Sequence, residues 1–431
     1  MVDPRVPSLV AILALLTACE GAIGDGNDPG HAHSSPSPST GAGDGMLPTG
    51  SATSGASTSS GGPSKPEKPK TVFDDAPDNA WIDTGLTYQG GNEVPAVFDQ
   101  QNQLFFKYGG CGDGTPPVNI SFPQGDPKYP NGYSNTLWVV DVPSQTWQLR
   151  RPYDASWPND RPGNGCSRSY VYDANRKVVW MYGGVSDGGG GGYVWDLWSY
   201  DGAADTFARL NSQNLPPSAI NDADGSIIVH DPVNDVIVMP RGETTWVLHF
   251  DTNTWEARPT PNGPPSPGHY TSMIFEPTLG RVLMPKAVPT GQSAASLEPG
   301  MDPDHWRPSA TGYLEFEFQT WTYDAATNVW EMLHPQQSPE PSYRMRQGLT
   351  YDSKNQVAIM VGGSSSTWDE LEQYYNDIWV YHADQNTWLK RNPPGQLPSS
   401  DRDARQLAYG ELENAVFYLP RTGHVWVYRY Q

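Results

Sequence analysis

KVVWMYGG at residues 177–184 is followed by LWSYD at 197–201 and by Phe207, nine residues beyond Trp198. The arrangement returns along most of the chain. Trp138, Trp198, Trp246, Trp321 and Trp379 are each followed nine residues later by an aromatic: Trp147, Phe207, Trp255, Trp330 and Trp388. A spacing held constant while the intervening segments vary in length marks one structural unit repeated.

Each unit reads as four short β-runs. The first ends in an aromatic or His before a turn: Phe98-Asp99, Tyr172-Asp173, His230-Asp231, Phe275-Glu276, Tyr351-Asp352 and Tyr409-Gly410. Asp and Asn in such turns bond back to their own backbone and punctuate strands. The second run is apolar on consecutive residues, as at Val178 to Tyr182 and Val357 to Val361, which predicts a strand buried on both faces. Three of these runs end in Gly-Gly, at 109–110, 183–184 and 362–363, where glycine permits close backbone approach. The third run carries the first Trp and the fourth its partner.

Gly-Gly, then Trp-x-x-Asp, a turn and a second Trp resembles the kelch repeat, in the segments LWVVDVPSQTW, LWSYDGAADTF, TWTYDAATNVW and IWVYHADQNTW. The resemblance covers about Asp78 to Gln431 and implies four-stranded blades of a β-propeller. Pro240-Arg241, Pro285-Lys286 and Pro420-Arg421 replace Gly-Gly in three units, and His249 and His382 replace the Asp in two. The last unit supplies three runs, while Asp78-Asn79-Ala80-Trp81-Ile82 resembles Asn253-Thr254-Trp255 and reads as an orphan fourth strand. The expectation is an all-β, six-bladed kelch-type propeller over 71–431, closed by its N-terminal strand so that no blade is left open.

Residues 1–18 read as an export signal: Arg5, an apolar stretch from Leu9 to Leu16, then Leu16-Thr17-Ala18-Cys19. The apolar stretch is too short to span a membrane. Leu-Thr-Ala-Cys resembles the bacterial lipobox, which implies lipidation of Cys19. A signal peptide with a chance cysteine is the alternative. Residues 19–70 are rich in Gly, Ser, Thr and Pro and predict a disordered tether. The implied location is a bacterial cell envelope, lipid-anchored. Glu20, rather than Asp, after the cysteine favours the outer membrane of a Gram-negative cell.

Cys111 follows the first Gly-Gly and Cys166 opens the next blade. Those positions share a face of neighbouring blades, so a Cys111–Cys166 disulfide is expected, with two free thiols as the alternative. A formal charge of −21 argues against nucleic acid, which calls for a basic stripe.

Binding is expected on the face bearing the long loops between second and third strands. Trp157, Trp306 and Trp368 lie in loops and suit a glycan or protein partner. Capping of blade ends is the bland alternative. Arg168, Arg344, Arg346 and Arg405 stand at the entrances of first strands, and Arg241, Lys286 and Arg421 end second strands. Cations gathered at one mouth suit a carboxylate or sulfate, unless each pairs with an acid of its own blade. No metal or cofactor is expected. His31-Ala32-His33 reads as spacer. His269-Tyr270 bears a loose similarity to copper-radical sugar oxidases, whose two histidines, two tyrosines and Cys–Tyr crosslink are not matched. The leading expectation is a non-enzymatic binding module for a protein or glycan. An envelope carbohydrate enzyme similar to the sialic-acid mutarotases, which share this type of propeller, is the alternative; a structural subunit is a third.

Cys19→Ala is expected to abolish metabolic labelling by radioactive palmitate and to release the protein from the membrane fraction. A labelled, membrane-bound variant would overturn the lipobox reading.

Overall fold

A computed structural model describes residues 71–431 apart from 72, 75, 88–94, 111–133, 153, 155–158, 164, 166–167, 187–191, 217–226, 266–270, 291–315, 343, 366–372, 399–403 and 421–423. The signal, Cys19, the tether, Cys111 and Cys166, and the loop tryptophans Trp157, Trp306 and Trp368 therefore lie outside the described residues.

Two kinds of turn set the blade. The turn from first to second strand places Gln103, Lys177, Asp235, Gly280, Gln356 or Asn414 at φ between 49° and 63°. The turn from third to fourth strand places Gln145, Asp205, Asn253, Asn328 or Asn386 at φ between 46° and 58°, seven residues past the first Trp in every case. Asn and Asp tolerate this left-handed conformation best among residues with a side chain. In three blades the tyrosine two residues past that Trp donates its hydroxyl to the left-handed residue: Tyr200 to Asp205 (2.7 Å), Tyr323 to Asn328 (3.0 Å), Tyr381 to Asn386 (2.8 Å). The same tyrosines lie opposite Phe207, Trp330 and Trp388 across the strand pair, with ring centroids 4.8–5.0 Å apart. The nine-residue spacing is thus the register of one hairpin, fixed by its turn.

Six four-stranded antiparallel sheets result. Blade 1 is β2 (Val97–Asp99), β3 (Leu104–Gly110), β4 (Ser134–Asp141) and β5 (Thr146–Arg151). Blade 2 is β6 (Ser169–Asp173), β7 (Val178–Tyr182), β10 (Leu197–Asp201) and β11 (Thr206–Leu210), with a small hairpin of β8 (Val185–Ser186) and β9 (Gly192–Tyr193) above it. Blade 3 is β12 (Val229–Asp231), β13 (Val236–Arg241), β14 (Thr244–His249) and β15 (Thr254–Pro259). Blade 4 is β16 (Ile274–Glu276), β17 (Arg281–Pro289), β18 (Phe316–Asp324) and β19 (Val329–Leu333). Blade 5 is β20 (Gly348–Asp352), β21 (Val357–Ser364), β22 (Tyr374–His382) and β23 (Thr387–Arg391). Blade 6 is β24 (Leu407–Gly410), β25 (Ala415–Tyr418), β26 (His424–Tyr428) and, from the other end of the chain, β1 (Trp81–Thr87). Each innermost strand touches the innermost strands of two neighbours, in the cyclic order β2, β6, β12, β16, β20, β24 and back to β2. This is a closed six-bladed β-propeller.

The apolar second strands are buried on both faces, β3 and β21 along their whole length. Their side chains form clusters shared by adjacent blades. Fourth-strand tryptophans reach into the preceding blade: Trp330 Nε1 donates to Thr245 Oγ1 (2.8 Å) and Trp388 Nε1 to Thr320 Oγ1 (3.0 Å). At Gly-Gly the approach is close, since a Cβ on Gly109 would meet the Gly165 carbonyl oxygen at 2.7 Å. Among the substituted positions, His249 pairs with Glu256 (2.8 Å) and His382 meets the Tyr430 hydroxyl (3.2 Å).

Closure rests on the last residues of the chain. β1 pairs with β26 from Trp81 opposite Tyr428. Asn79 is left-handed (φ 54°), its Oδ1 accepts from the Tyr428 hydroxyl (3.4 Å), and its Nδ2 donates to the Gln431 carbonyl (2.8 Å). It reproduces the tyrosine–asparagine turn of the other blades with residues from opposite ends. The Arg429 guanidinium donates to five carbonyls, those of Phe73, Asp74, Ala76, Glu413 and Asn414.

Arg429→Ala should cost about 2–3 kcal/mol of stability, because several half-buried carbonyls lose a charged donor at once. Arg429→Lys should recover little, as an ammonium has neither the planar fork nor the donor count. Urea unfolding checks both. A variant as stable as the parent would remove Arg429 from the closure.

Candidate functional site

Every innermost strand is the edge of its sheet, so part of its backbone N–H and C=O groups face the propeller axis rather than another strand. The axis is hollow. A cavity of about 270 Å³ lies towards the turns between first and second strands, lined by residues of all six blades. A smaller one of about 70 Å³ lies towards the starts of the first strands. Both are lined by Ala96, Tyr170, Ile228, Met273, Leu349 and Leu407.

The penultimate residue of each innermost strand lines the larger cavity: Phe98, Tyr172, His230, Phe275, Tyr351 and Tyr409. The strand ends one residue later in Asp99, Asp173, Asp231, Glu276 or Asp352, all fully buried, and these carboxylates accept N–H bonds from their own turns. This explains the aromatic-acid dipeptide: the acid ties down the turn while the aromatic stands at the channel. Side chains and backbone then stitch the rim. Gln100 donates to the Tyr409 carbonyl (2.6 Å) and accepts from the Glu411 N–H (3.0 Å), joining blades 1 and 6. The Gln101 N–H donates to the Tyr172 hydroxyl (3.2 Å).

His230 sits between two carboxylates, its Nε2 3.6 Å from Asp173 Oδ1 and 3.6 Å from Asp235 Oδ1, beyond hydrogen-bond range. Arg176 bridges the same pair, with Nη1 3.0 Å from Asp173 and 2.7 Å from Asp235, and lies over the Phe250 ring at 3.7 Å. Burial holds the His230 pKa below its ordinary value, outweighing the opposite pull of Asp173 and Asp235. The hydrogen bonds from Arg176 hold Asp235 well below the usual carboxylate range.

At the opposite end the predicted cations divide. Arg168 is fully buried, and its Nη1 bonds Asp196 Oδ1 at 2.9 Å, while Asp196 Oδ2 accepts from Trp198 Nε1 at 2.6 Å. Burial alone would raise the Asp196 carboxyl; the Arg168 charge and these bonds hold it low. Arg344 repeats the arrangement in blade 5, bidentate to Asp377 at 2.6 and 2.8 Å, with the Trp379 indole on the same carboxylate and the Tyr375 ring 4.5 Å from the guanidinium. Both are ion pairs within their own blades. Arg346 is fully buried with φ 56°, and Lys286 is buried on β17. Arg241 faces the Trp195 ring at 4.6 Å. Arg405 is buried and lines the smaller cavity beside Ser169, Thr271 and Ser272. Arg421 lies outside the described residues.

The structure thus brings together residues that sequence reasoning treated only as punctuation. One aromatic or His per repeat, before the turn acid in five blades and before Gly410 in the sixth, was the available signal. Among the described residues, no group of three or more His, Cys, Asp or Glu is placed to hold a metal ion.

No known protein family matches the sequence, and no curated protein matches it. A solved structure described as "Structure of YjhT" superimposes with a TM-score of 0.48 at 11% identity, over 78% of this chain and 94% of that one.

Because its folded pKa is depressed, His230 takes up its proton more readily in the unfolded chain. Stability should therefore fall as pH drops through the unfolded value of about 6.5. His230→Gln should flatten the decline in melting temperature between about pH 7.5 and 5.5, leaving the part owed to His382, whose pKa burial also lowers. An unchanged slope would remove His230 from the coupling.

Proposed function

We propose that this protein is an exported, lipid-anchored binding module whose propeller takes a glycan unit into its axial cavity. The supporting observation is the cavity of about 270 Å³ lined by residues of all six blades, among them Phe98, Tyr172, Phe275, Tyr351 and Tyr409. That volume is near the lower end of the roughly 300–1,000 Å³ typical of ligand pockets, which suits a single ring better than an extended surface. Aromatic rings with a polar tip offer both an apolar face and a hydrogen bond to a sugar. The lipobox-like motif and the Gly/Ser-rich segment support lipid-anchored display on a bacterial cell envelope, at the outer membrane if the cell is Gram-negative. Trp157, Trp306, Trp368 and Arg405 remain candidates for contacts on the loop face, where a protein partner would sit.

A second reading, chemical turnover of the bound sugar, is favoured by His230. A buried imidazole between two carboxylates at a cavity wall is suited to proton transfer. That reading makes the protein a carbohydrate-active envelope enzyme.

Ser353 is exposed and lines the cavity at its turn end, so Ser353→Trp should obstruct entry without disturbing the core. A thermal-shift screen against neutral, amine-bearing and acidic saccharides should find a ligand. At 100 times its dissociation constant that ligand adds about 2.7 kcal/mol of stability, and Ser353→Trp should abolish the shift. A shift that survives in the variant would place the ligand elsewhere. Silence across the panel, with a protein retained on the loop face, would overturn the glycan reading.

A further inference from the structure

Among the described residues, the turn end of the channel is rich in carboxylates. Five of the innermost strands end in an acid, and in blade 6 Glu411 follows Gly410. The six turns that follow carry Asp99, Asp173, Asp231, Asp235, Glu276, Asp352, Glu411 and Glu413. The turns themselves carry four cations, Arg176, Lys177, Arg281 and Lys354, and a fifth, Arg429, is committed to backbone carbonyls that include those of Glu413 and Asn414. Arg176 is committed to Asp173 and Asp235. Arg281 is committed to Glu331, 2.7 Å away on β19. Lys177 and Lys354 are exposed. Arg405 and the Lys107–Gln406 pair belong to the other end of the inner strands.

The negative field reaches the cavity wall. Burial pushes the Tyr172 hydroxyl up to about 12, and Asp99, Glu411 and Asp173 push in the same direction. The Tyr351 hydroxyl is raised by burial and by Glu276 and Asp352, and the Tyr409 hydroxyl by burial and by Asp352. Five blades place a Phe or Tyr on the wall and blade 3 places His230, and Phe and Tyr rings attract cations. Carbonyls on the free edges of the inner strands add further acceptors. An anion entering here would meet carboxylates behind every wall, whereas an ammonium group would meet aromatic rings, carbonyl oxygens and a ring of negative charge.

Resting on the glycan reading above, we propose that the turn end of the channel takes a cationic ligand, a saccharide bearing a free protonated amine. The sugar ring lies against the aromatic wall and the ammonium group points towards the turn carboxylates. Glu411, exposed and lining the cavity, is the acid most available to it; the strand-end carboxylates are already bonded to their turns and act through their field.

The test is isothermal titration calorimetry of the folded protein with three probes: a β-1,4-linked glucosamine trimer, its N-acetylated counterpart, and 1,5-diaminopentane. At about pH 5.5 the sugar amines, weaker bases than a lysine amine, are largely protonated, as is the diamine. The glucosamine trimer should bind at least about tenfold more tightly than the acetylated one. Its affinity should fall between about 20 and 300 mM salt, as expected for partly exposed charges. Glu411→Gln, which keeps the backbone N–H bonded to Gln100, should weaken it about three- to tenfold, and Ser353→Trp should abolish it. Equal, salt-insensitive affinity for the two trimers would overturn the cationic preference while leaving glycan binding intact. Binding of the diamine but of neither trimer would uphold the cation site and overturn the glycan reading. No binding by any probe would overturn both.

Discussion

A propeller is a ring made from a linear chain, and its one compulsory interaction is the seam where the ends meet. Here the seam is a β-ladder between Trp81–Thr87 and His424–Tyr428, reinforced by Asn79 and by the five carbonyls gathered around Arg429. Without it, blade 6 would lack its outer strand, and the cluster joining blades 6 and 1 would lose Phe73 and Ala76 along with the partly buried Ile82 and Leu86. The axial cavity depends on the same seam, because its wall includes Ala96 to Phe98 on one side of it and Leu407 to Tyr409 on the other. Site and closure are one constraint.

Much of the fold was legible because each repeat states its geometry twice. Left-handed residues seven positions past the first Trp fix the outer hairpin, and those after the turn acid fix the inner one. Asn253, Asn328 and Asn386 are visible in the sequence as Asn-x-Trp, and Asn79 betrayed the closing strand by the same signature. Residues such as Gln145 and Lys177 adopt the conformation without advertising it. There the preserved spacing, rather than the residue type, carried the information.

The site was less legible, for a physical reason. Arg168 and Arg344 read in the sequence either as ligand cations or as partners of an acid in their own blade, because sequence shows charge but not the partner across the blade; Asp196 and Asp377 lie 28 and 33 residues away. A fully buried guanidinium without such a partner would be costly, so pairing was the stronger physical expectation. Conversely, Phe98, Tyr172, His230, Phe275, Tyr351 and Tyr409 looked like strand ends. Their significance arises only when six repeats are arranged around an axis and one residue from each converges. Repetition conceals such a ring, since every member looks local.

The seam also determines how the molecule bears load. Phe73, Asp74 and Ala76, a few residues before β1, are held by Arg429. A pull on the chain from its N-terminal side therefore loads that guanidinium before it loads the ladder bonds of Trp81 and Ile82. The clamp spreads the force over both the C-terminal strand and the inner turn at Glu413-Asn414. Once it yields, the strand can peel from blade 6 one bond at a time. The weak point of the ring under tension is thus the place where it was closed, and Arg429 is its strain relief.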